Sequence, residues 1–192
     1  MRRLMCIAMV LTTLSLCPLP CVFGQPRSEV PPRVADGSIT DTPDDSITII
    51  VQLTPGWNMV SNPVITVNDS VPVLFPTCLG CGWWIPPWTD NCRLSHGTGR
   101  WLKCPAGGTV SISGMSISVD SIPVAAAWNI IGSLSDPVAT SSVYSIPPNI
   151  ITSPFFGFSL GSGYTRVDTL RPGSAYWVKL NQAGRIVLSS GF

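Results

Sequence analysis

Two blocks of this chain occur twice in the same order. The segment Gly56–Ser61 (GWNMVS) recurs as residues 127–132 (AWNIIG), 71 positions later. Residues 88–103 (WTDNCRLSHGTGRWLK) align without a gap on residues 164–179 (YTRVDTLRPGSAYWVK), 76 positions later. Matches in the same order at nearly the same offset indicate an internal duplication of one structural unit.

The two copies, at about residues 47–115 and 117–191, are patterned as β structure. Residues 47–53 (ITIIVQL) are rich in β-branched side chains and are followed by a Pro-Gly turn. Residues 175–180 alternate like a strand after another Pro-Gly turn. The sequence therefore predicts an all-β fold, in which two tandem short-stranded antiparallel repeats pack as a sandwich- or barrel-like module. One shared sandwich and two small lobes both fit this pattern.

The N-terminus is predicted to be a signal peptide covering residues 1–24. Arg2 and Arg3 precede an apolar stretch that is shorter than the roughly 20 residues needed to span a bilayer, and Gly24 suits the position before cleavage. Residues 25–46 are rich in Pro and Asp, and we expect a disordered linker. The mature protein is therefore expected to be secreted or held at the cell surface (extracellular or periplasmic), without a transmembrane segment.

The net charge argues against two classes of partner. The whole chain has 11 basic and 10 acidic residues, and removal of the leader with Arg2 and Arg3 leaves a net charge of about −1. Nucleic-acid binding needs basic side chains to displace counterions from phosphate, and polybasic membrane attachment needs a similar cluster. We therefore expect neither.

Four cysteines remain after leader removal: Cys78, Cys81, Cys92 and Cys104. They lie in a loop of the first copy, residues 78–104. An even number in an exported protein predicts two disulfides, for which three pairings are available. We favour Cys92–Cys104 across a hairpin together with Cys78–Cys81.

A zinc or redox site is the alternative use of these cysteines. Four sulfurs could form a tetrahedral zinc site, and His96 could replace one of them. Zinc ribbons offer a second close pair, however, whereas Cys92 and Cys104 are twelve positions apart. No βαβ pattern surrounds the Cys-x-x-Cys pair as a redox site would require. We expect structural disulfides, with no metal and no cofactor.

The aromatic segment at residues 82–88 (GWWIPPW) is the candidate binding site. Flat aromatic rings stack on sugar faces, and neighbouring prolines stiffen the loop that presents them. Trp83 aligns with Gly157 and so has no aromatic counterpart in the second copy. Because buried aromatic residues are common, we favour burial of this cluster in the core. If one ring is exposed for recognition, we select Trp83, with Ile85 and Pro86 nearby, as a candidate glycan-binding surface.

Positions that keep their residue type in both copies are interpreted as framework. The tryptophans are expected to be buried, the asparagines to bond nearby backbone, and the lysines to be solvated. These framework residues are Trp57, Asn58, Trp101, Lys103, Trp128, Asn129, Trp177 and Lys179.

The sequence offers little for catalysis. Its Asp residues are scattered, without the close pair that glycosidases use. His96 is the only histidine, and although Ser95 precedes it, no nucleophile elbow is present. We expect that the protein is not an enzyme.

The motifs GWNMVSNPV, GTGRWLK, AWNIIGSLSDPV and FFGFSLGSGYTRVDTLRPGSAYWVKLNQAGRIVLSS carry a family resemblance. The chain resembles a double-repeat module of large secreted proteins of Bacteroidota, Ignavibacteria and related bacteria. That module often precedes a C-terminal sorting domain of the type IX secretion system. The resemblance implies a secreted or cell-surface location and brings no catalytic residues.

This chain departs from the family pattern in two respects. No sorting domain follows the second copy, which fits either a fragment or export by another route, and the first copy has four additional cysteines. The expected function is a non-catalytic structural or adhesive module, with a polysaccharide or another surface protein as partner. The alternatives are a glycan-binding module using Trp83 and a zinc or redox protein.

Overall fold

The computed structural model describes residues 45–81 and 92–191. The predicted signal peptide, nearly all of the linker, and Trp83, Ile85 and Pro86 lie outside these residues. The strands are β1 Ser46–Leu53, β2 Gly56–Ser61, β3 Val64–Ile65, β4 Leu79–Cys81, β5 Gly99–Cys104, β6 Gly108–Ser116, β7 Val119–Val124, β8 Ala127–Ile131, β9 Val138–Ala139, β10 Tyr144–Ile146, β11 Phe155–Ser159, β12 Gly163–Val167, β13 Thr169–Leu170, β14 Tyr176–Leu180 and β15 Gly184–Ser189.

The prediction of an all-β fold is confirmed. The first copy forms two three-stranded sheets, in the orders β1-β6-β3 and β2-β5-β4. The second forms the sheets β10-β15-β7 and β12-β11-β14-β8, with a short β9-β13 pair. All pairings are antiparallel. Ser46, assigned to the linker by sequence, is already part of β1 because it pairs with Met115 of β6.

Strand pairing repeats at the same two offsets as the sequence. β1 pairs with β6 as β7 pairs with β15, and β2 pairs with β5 as β8 pairs with β14. Trp57 lies opposite Lys103, and Trp128 lies opposite Lys179 in the same register. The offset grows from 71 to 76 because the second copy is five residues longer between its β8 and β14 than the first is between β2 and β5.

Each copy has its own hydrophobic core between its two sheets. Strand alternation buries every second side chain, so that Val51 and Leu53 of β1 are buried whereas Ile50 is exposed. The first core consists of Val51, Leu53, Val60, Val64, Val71, Leu74, Phe75, Leu94, Leu102, Cys104, Val110 and Ile112. The second consists of Ile117, Ile122, Val124, Ile131, Leu134, Val138, Ile150, Phe155, Leu170, Tyr176, Val178, Leu180, Ile186 and Leu188. The described residues thus form a pair of small two-layer sandwiches.

The two sandwiches meet through a reciprocal pair of backbone hydrogen bonds. Ser61 N–H donates to the carbonyl of Gly173 at 3.0 Å, and Gly132 N–H donates to the carbonyl of Gly97 at 2.9 Å. Ser61 and Gly132 are equivalent residues at the offset of 71, and Gly97 and Gly173 are equivalent at the offset of 76. The two bonds therefore join equivalent positions of the two copies in opposite directions. The junction, which we call the joint, is therefore an approximate two-fold axis between the copies.

Side chains at the joint are small because equivalent positions face each other. A Cβ on Gly132 would lie 3.0 Å from the Cβ of Ser61, its counterpart in the first copy. A Cβ on Gly99 would lie 2.5 Å from the Cβ of Ala175, its counterpart in the second. In each of these two facing pairs, one residue is glycine and the other has a side chain. The Ser61 hydroxyl, at this junction, donates to the carbonyl of Ser174 at 2.8 Å.

Helical structure in the described residues is limited to short turns. These are α1 (Val71–Leu74) and a 3₁₀ turn at Thr140–Ser142. No helix within residues 45–81 and 92–191 has the length and apolar character needed to cross a membrane.

Candidate functional site

A band of aromatic side chains covers the outer surface of the two sheets that meet at the joint. Each ring lies on the side of its strand opposite to the core, as alternation requires. In β14, for example, Tyr176 and Val178 are buried whereas Trp177 and Lys179 face outward. We call this band the aromatic face; its members are Trp57, Trp101, Trp128, Phe156, Phe158, Tyr164 and Trp177.

One part of the aromatic face crosses from the first copy into the second. The ring centroids of Trp57 and Trp101 are 6.3 Å apart, and those of Trp101 and Phe158 are 4.7 Å apart. Tyr164 continues the series at 5.4 Å from Phe158. These are edge-to-face contacts, the arrangement that ring quadrupoles favour. The rings therefore stabilise one another across the joint.

The other part of the aromatic face repeats the first. Trp128 and Trp177 are 6.3 Å apart with an interplanar angle of 88°, compared with 6.3 Å and 87° for Trp57 and Trp101. Phe156 lies 6.2 Å from Trp128. Because Phe156 is two positions from the Phe158 of the first series on the same strand, both series share one surface.

The expectation that the repeated tryptophans are buried is wrong for two of the four. Trp57 is 39% exposed and Trp128 is 50% exposed, and Trp101 and Trp177 are only partly buried. For Trp101 and Trp177 the sequence contained a signal for the solvent side: each lies two positions before a lysine that was predicted to be solvated. Residues two apart on a strand share a face, so this spacing places the rings on the solvent side.

Basic residues accompany the rings. Lys103 is the cross-strand partner of Trp57, Lys179 is that of Trp128, and both lysines are exposed, as predicted. Arg166 lies opposite Phe156. The six strands β2, β5, β8, β11, β12 and β14 contain no Asp or Glu. The charged side chains on these six strands are therefore all basic.

The prediction that the repeated asparagines bond nearby backbone is confirmed. The side-chain amide of Asn58 accepts from Thr54 N–H at 2.9 Å and donates to the Thr54 carbonyl at 2.8 Å. Asn129 makes the same two bonds with Ala125, at 3.0 and 2.9 Å. Each amide closes the turn that leads into the strand carrying an exposed tryptophan, so it fixes the direction of that strand.

The favoured cysteine pairing is wrong. Cys78 and Cys104 form a disulfide, and Cys92 is also disulfide-bonded. The reason is strand order: β4 is antiparallel to β5 with Leu79 opposite Lys103, which brings Cys78 beside Cys104. Sulfurs joined in this way are not thiolate ligands for zinc. The disulfide fits an oxidising, extracytoplasmic environment.

His96 and Ser95 do not form a catalytic pair. His96 Nδ1 lies 2.9 Å from Asp120 Oδ2, whereas the Ser95 hydroxyl donates to Asp69 Oδ2 at 2.8 Å. The Ser95 hydrogen bond, together with the Arg93 guanidinium 2.7 Å away, lowers the pKa of the Asp69 carboxyl. The Asp69 carboxylate therefore stabilises structure within the first copy, whereas Asp120 of the second copy contacts His96 of the first. Among the residues that the structure describes, no cluster of three or more His, Cys, Asp or Glu side chains could hold a metal ion.

Trp83, Ile85 and Pro86 lie outside the described residues, so their selection as a binding surface stays a prediction. The aromatic face was not selected from the sequence, although four of its residues were named as framework. Comparison of the chain with protein-family models, curated proteins and solved structures returns no match.

Proposed function

We propose that this chain is a non-catalytic, exported structural or adhesive β module that contacts its partner through the aromatic face. The observation that carries the proposal is the partial exposure of large rings, fixed in place on paired strands. Contiguous exposed apolar surface on a soluble domain is characteristic of interaction sites. The exposed rings Trp57, Trp128 and Tyr164 supply such a surface.

Rigidity supports a role in binding. Side chains that are already ordered lose little conformational entropy when a partner is bound. The edge-to-face ring contacts and the two asparagine-closed turns hold the face in a single arrangement before binding. A surface of this kind suits a module whose task is attachment.

Several observations support export. The leader motif, the Cys78–Cys104 disulfide and the resemblance to a module of secreted bacterial proteins agree on a location outside the cytoplasm. Attachment to a surface or to a neighbouring protein is a function that fits both this location and the aromatic face.

A retention assay tests the proposal. The mature chain, from residue 25, is incubated with washed envelopes of a Bacteroidota strain, and the bound fraction is measured after sedimentation. A variant with Trp57, Trp128 and Tyr164 replaced by alanine should lose at least about tenfold in retention, since aromatic residues dominate binding at such surfaces.

The matched control is Tyr144→Ala, which removes an equally exposed ring from β10 in another sheet. Circular dichroism and thermal unfolding establish that each variant is folded. Retention of the Tyr144→Ala variant at the parental level supports the proposal. Equal retention of the triple variant, or no retention of the parent, contradicts it.

A further inference from the structure

The aromatic face contains the same arrangement twice, and this repetition points to the class of ligand. In each copy an exposed tryptophan lies directly opposite an exposed lysine, and a second tryptophan contacts the first edge to face at 6.3 Å. We call these arrangements subsite 1 (Trp57, Lys103) and subsite 2 (Trp128, Lys179). A pair of matching subsites on a fixed scaffold suits a ligand that is itself a repeating polymer.

The rings in each subsite are suited to sugars. In an edge-to-face pair, each ring keeps at least one flat surface that its partner does not cover. The C–H face of a pyranose ring is apolar and flat, and it stacks on an exposed indole. The exposed fractions of 39% for Trp57 and 50% for Trp128 leave room for such contact.

The charges in each subsite select an anionic sugar. Directly opposed cross-strand residues have Cβ atoms about 5 Å apart, so each lysine ammonium is within reach of a group bound on the neighbouring indole. Within residues 45–81 and 92–191 the close contacts between a basic side chain and a carboxylate are Arg93–Asp69 and His96–Asp120, and neither uses Lys103 or Lys179. The face strands have no carboxylate to compete for these lysines.

From this geometry we propose that the aromatic face binds an anionic polysaccharide, with one acidic sugar stacked on the tryptophan and paired with the lysine of each subsite. The inference rests on the proposed adhesive function and adds the ligand class. Arg166, opposite Phe156 in the second copy, adds to the attraction. Because the subsites act together on one polymer chain, loss of both should cost far more than loss of either.

The test uses three polymers of defined chemistry as probes: polygalacturonate, dextran sulfate and neutral dextran. Affinity electrophoresis of the mature chain measures retardation by each polymer. Binding to polygalacturonate alone assigns the ligand as carboxylated, and binding to dextran sulfate as well extends it to sulfated chains. Retardation by neutral dextran equal to that by both anionic polymers overturns the proposal.

Variants separate stacking from charge. Trp57→Ala and Trp128→Ala should each weaken binding about tenfold, and the double variant about a hundredfold or more. Lys103→Gln with Lys179→Gln should weaken anionic binding about tenfold and remove most of its dependence on salt. Tyr144→Ala should bind like the parent. Unchanged binding in the double tryptophan or double lysine variant overturns the proposal.

Two further outcomes are decisive. Equal retardation by a single-stranded oligonucleotide would show binding to anionic polymers of any kind and would overturn the assignment to polysaccharide. Retention on envelopes without retardation by either anionic polymer would overturn this ligand class while leaving the adhesive function intact. Failure of both assays would overturn both proposals.

Discussion

The turns before the two exposed tryptophans show what single residues contribute. Both turns need a residue with positive φ, namely Gly56 at 94° and Ala127 at 78°. Glycine adopts this conformation readily, whereas alanine is strained by its Cβ. The second copy thus keeps the turn and its asparagine clamp but holds a residue that fits less well.

Replacing Ala127 with glycine should relieve this strain. We expect Ala127→Gly to raise the free energy of unfolding by about 0.5–1 kcal/mol, because release of the left-handed strain exceeds the extra entropy of glycine in the unfolded chain. Urea unfolding followed by tryptophan fluorescence measures the change.

The matched substitution in the first copy should act in the opposite direction. Gly56→Ala introduces the same strain, and its Cβ would lie 2.9 Å from Leu160 Cδ1. A lower stability of Ala127→Gly than of the parent would show that the positive φ at residue 127 is not strained.

At the scale of strands, the alternation of side chains predicted where strands lie in the sequence better than it predicted which strands pair with each other. The first strand was expected at residues 47–53 and is observed at Ser46–Leu53. Periodicity along a strand does not say which strand lies beside it, so the sequence did not reveal that β4 pairs with β5. For that reason the proposed Cys92–Cys104 pairing was wrong while the expectation of disulfides was right.

The Cys78–Cys104 disulfide should contribute strongly to stability. It closes a loop with a sequence separation of 26, which corresponds to about 3–4 kcal/mol in the chain-entropy model. Replacing both cysteines with alanine should therefore lower the free energy of unfolding by about that amount, measured in urea under oxidising conditions. Peptide mapping of the non-reduced parent provides an independent check, and a peptide linking Cys92 to Cys104 would contradict the pairing.

The aromatic face was missed although strand alternation indicated it. Tryptophan is usually buried, and that tendency outweighed the spacing of Trp101 and Trp177 relative to their lysines. The spacing indicated the correct side of the strand. Phe158 and Tyr164 reach Trp101 only because the second copy packs against the first, and no periodicity within one copy encodes that contact.

For the whole molecule, the duplication in sequence appears as a duplication of strand pairing. The division into two sandwiches, which the sequence left open, depends on where the two cores form. The joint could not be predicted because its bonds run between the copies. In the sequence the joint is marked only by residue size. The residues that face each other there, Ser61 with Gly132 and Gly99 with Ala175, are all small.

Moving the serine from one side of the joint to the other tests the two-fold relation. Gly132→Ser alone should lower stability by about 1–3 kcal/mol, because its Cβ meets that of Ser61 at 3.0 Å. Adding Ser61→Gly should recover much of that loss, since one side chain then occupies the site again. Thermal unfolding of the two variants and of Ser61→Gly alone measures the coupling, and purely additive effects would contradict a shared site.

The uneven joint has a consequence for how the halves recognise each other. Two first halves brought face to face would place Ser61 against Ser61 and leave a void where two Gly99 residues meet. Two second halves would leave the void at Gly132 and bring Ala175 against Ala175. Only the mixed pair has one side chain at each position. Small differences between the duplicated halves therefore favour pairing of a first half with a second half over pairing of two identical halves.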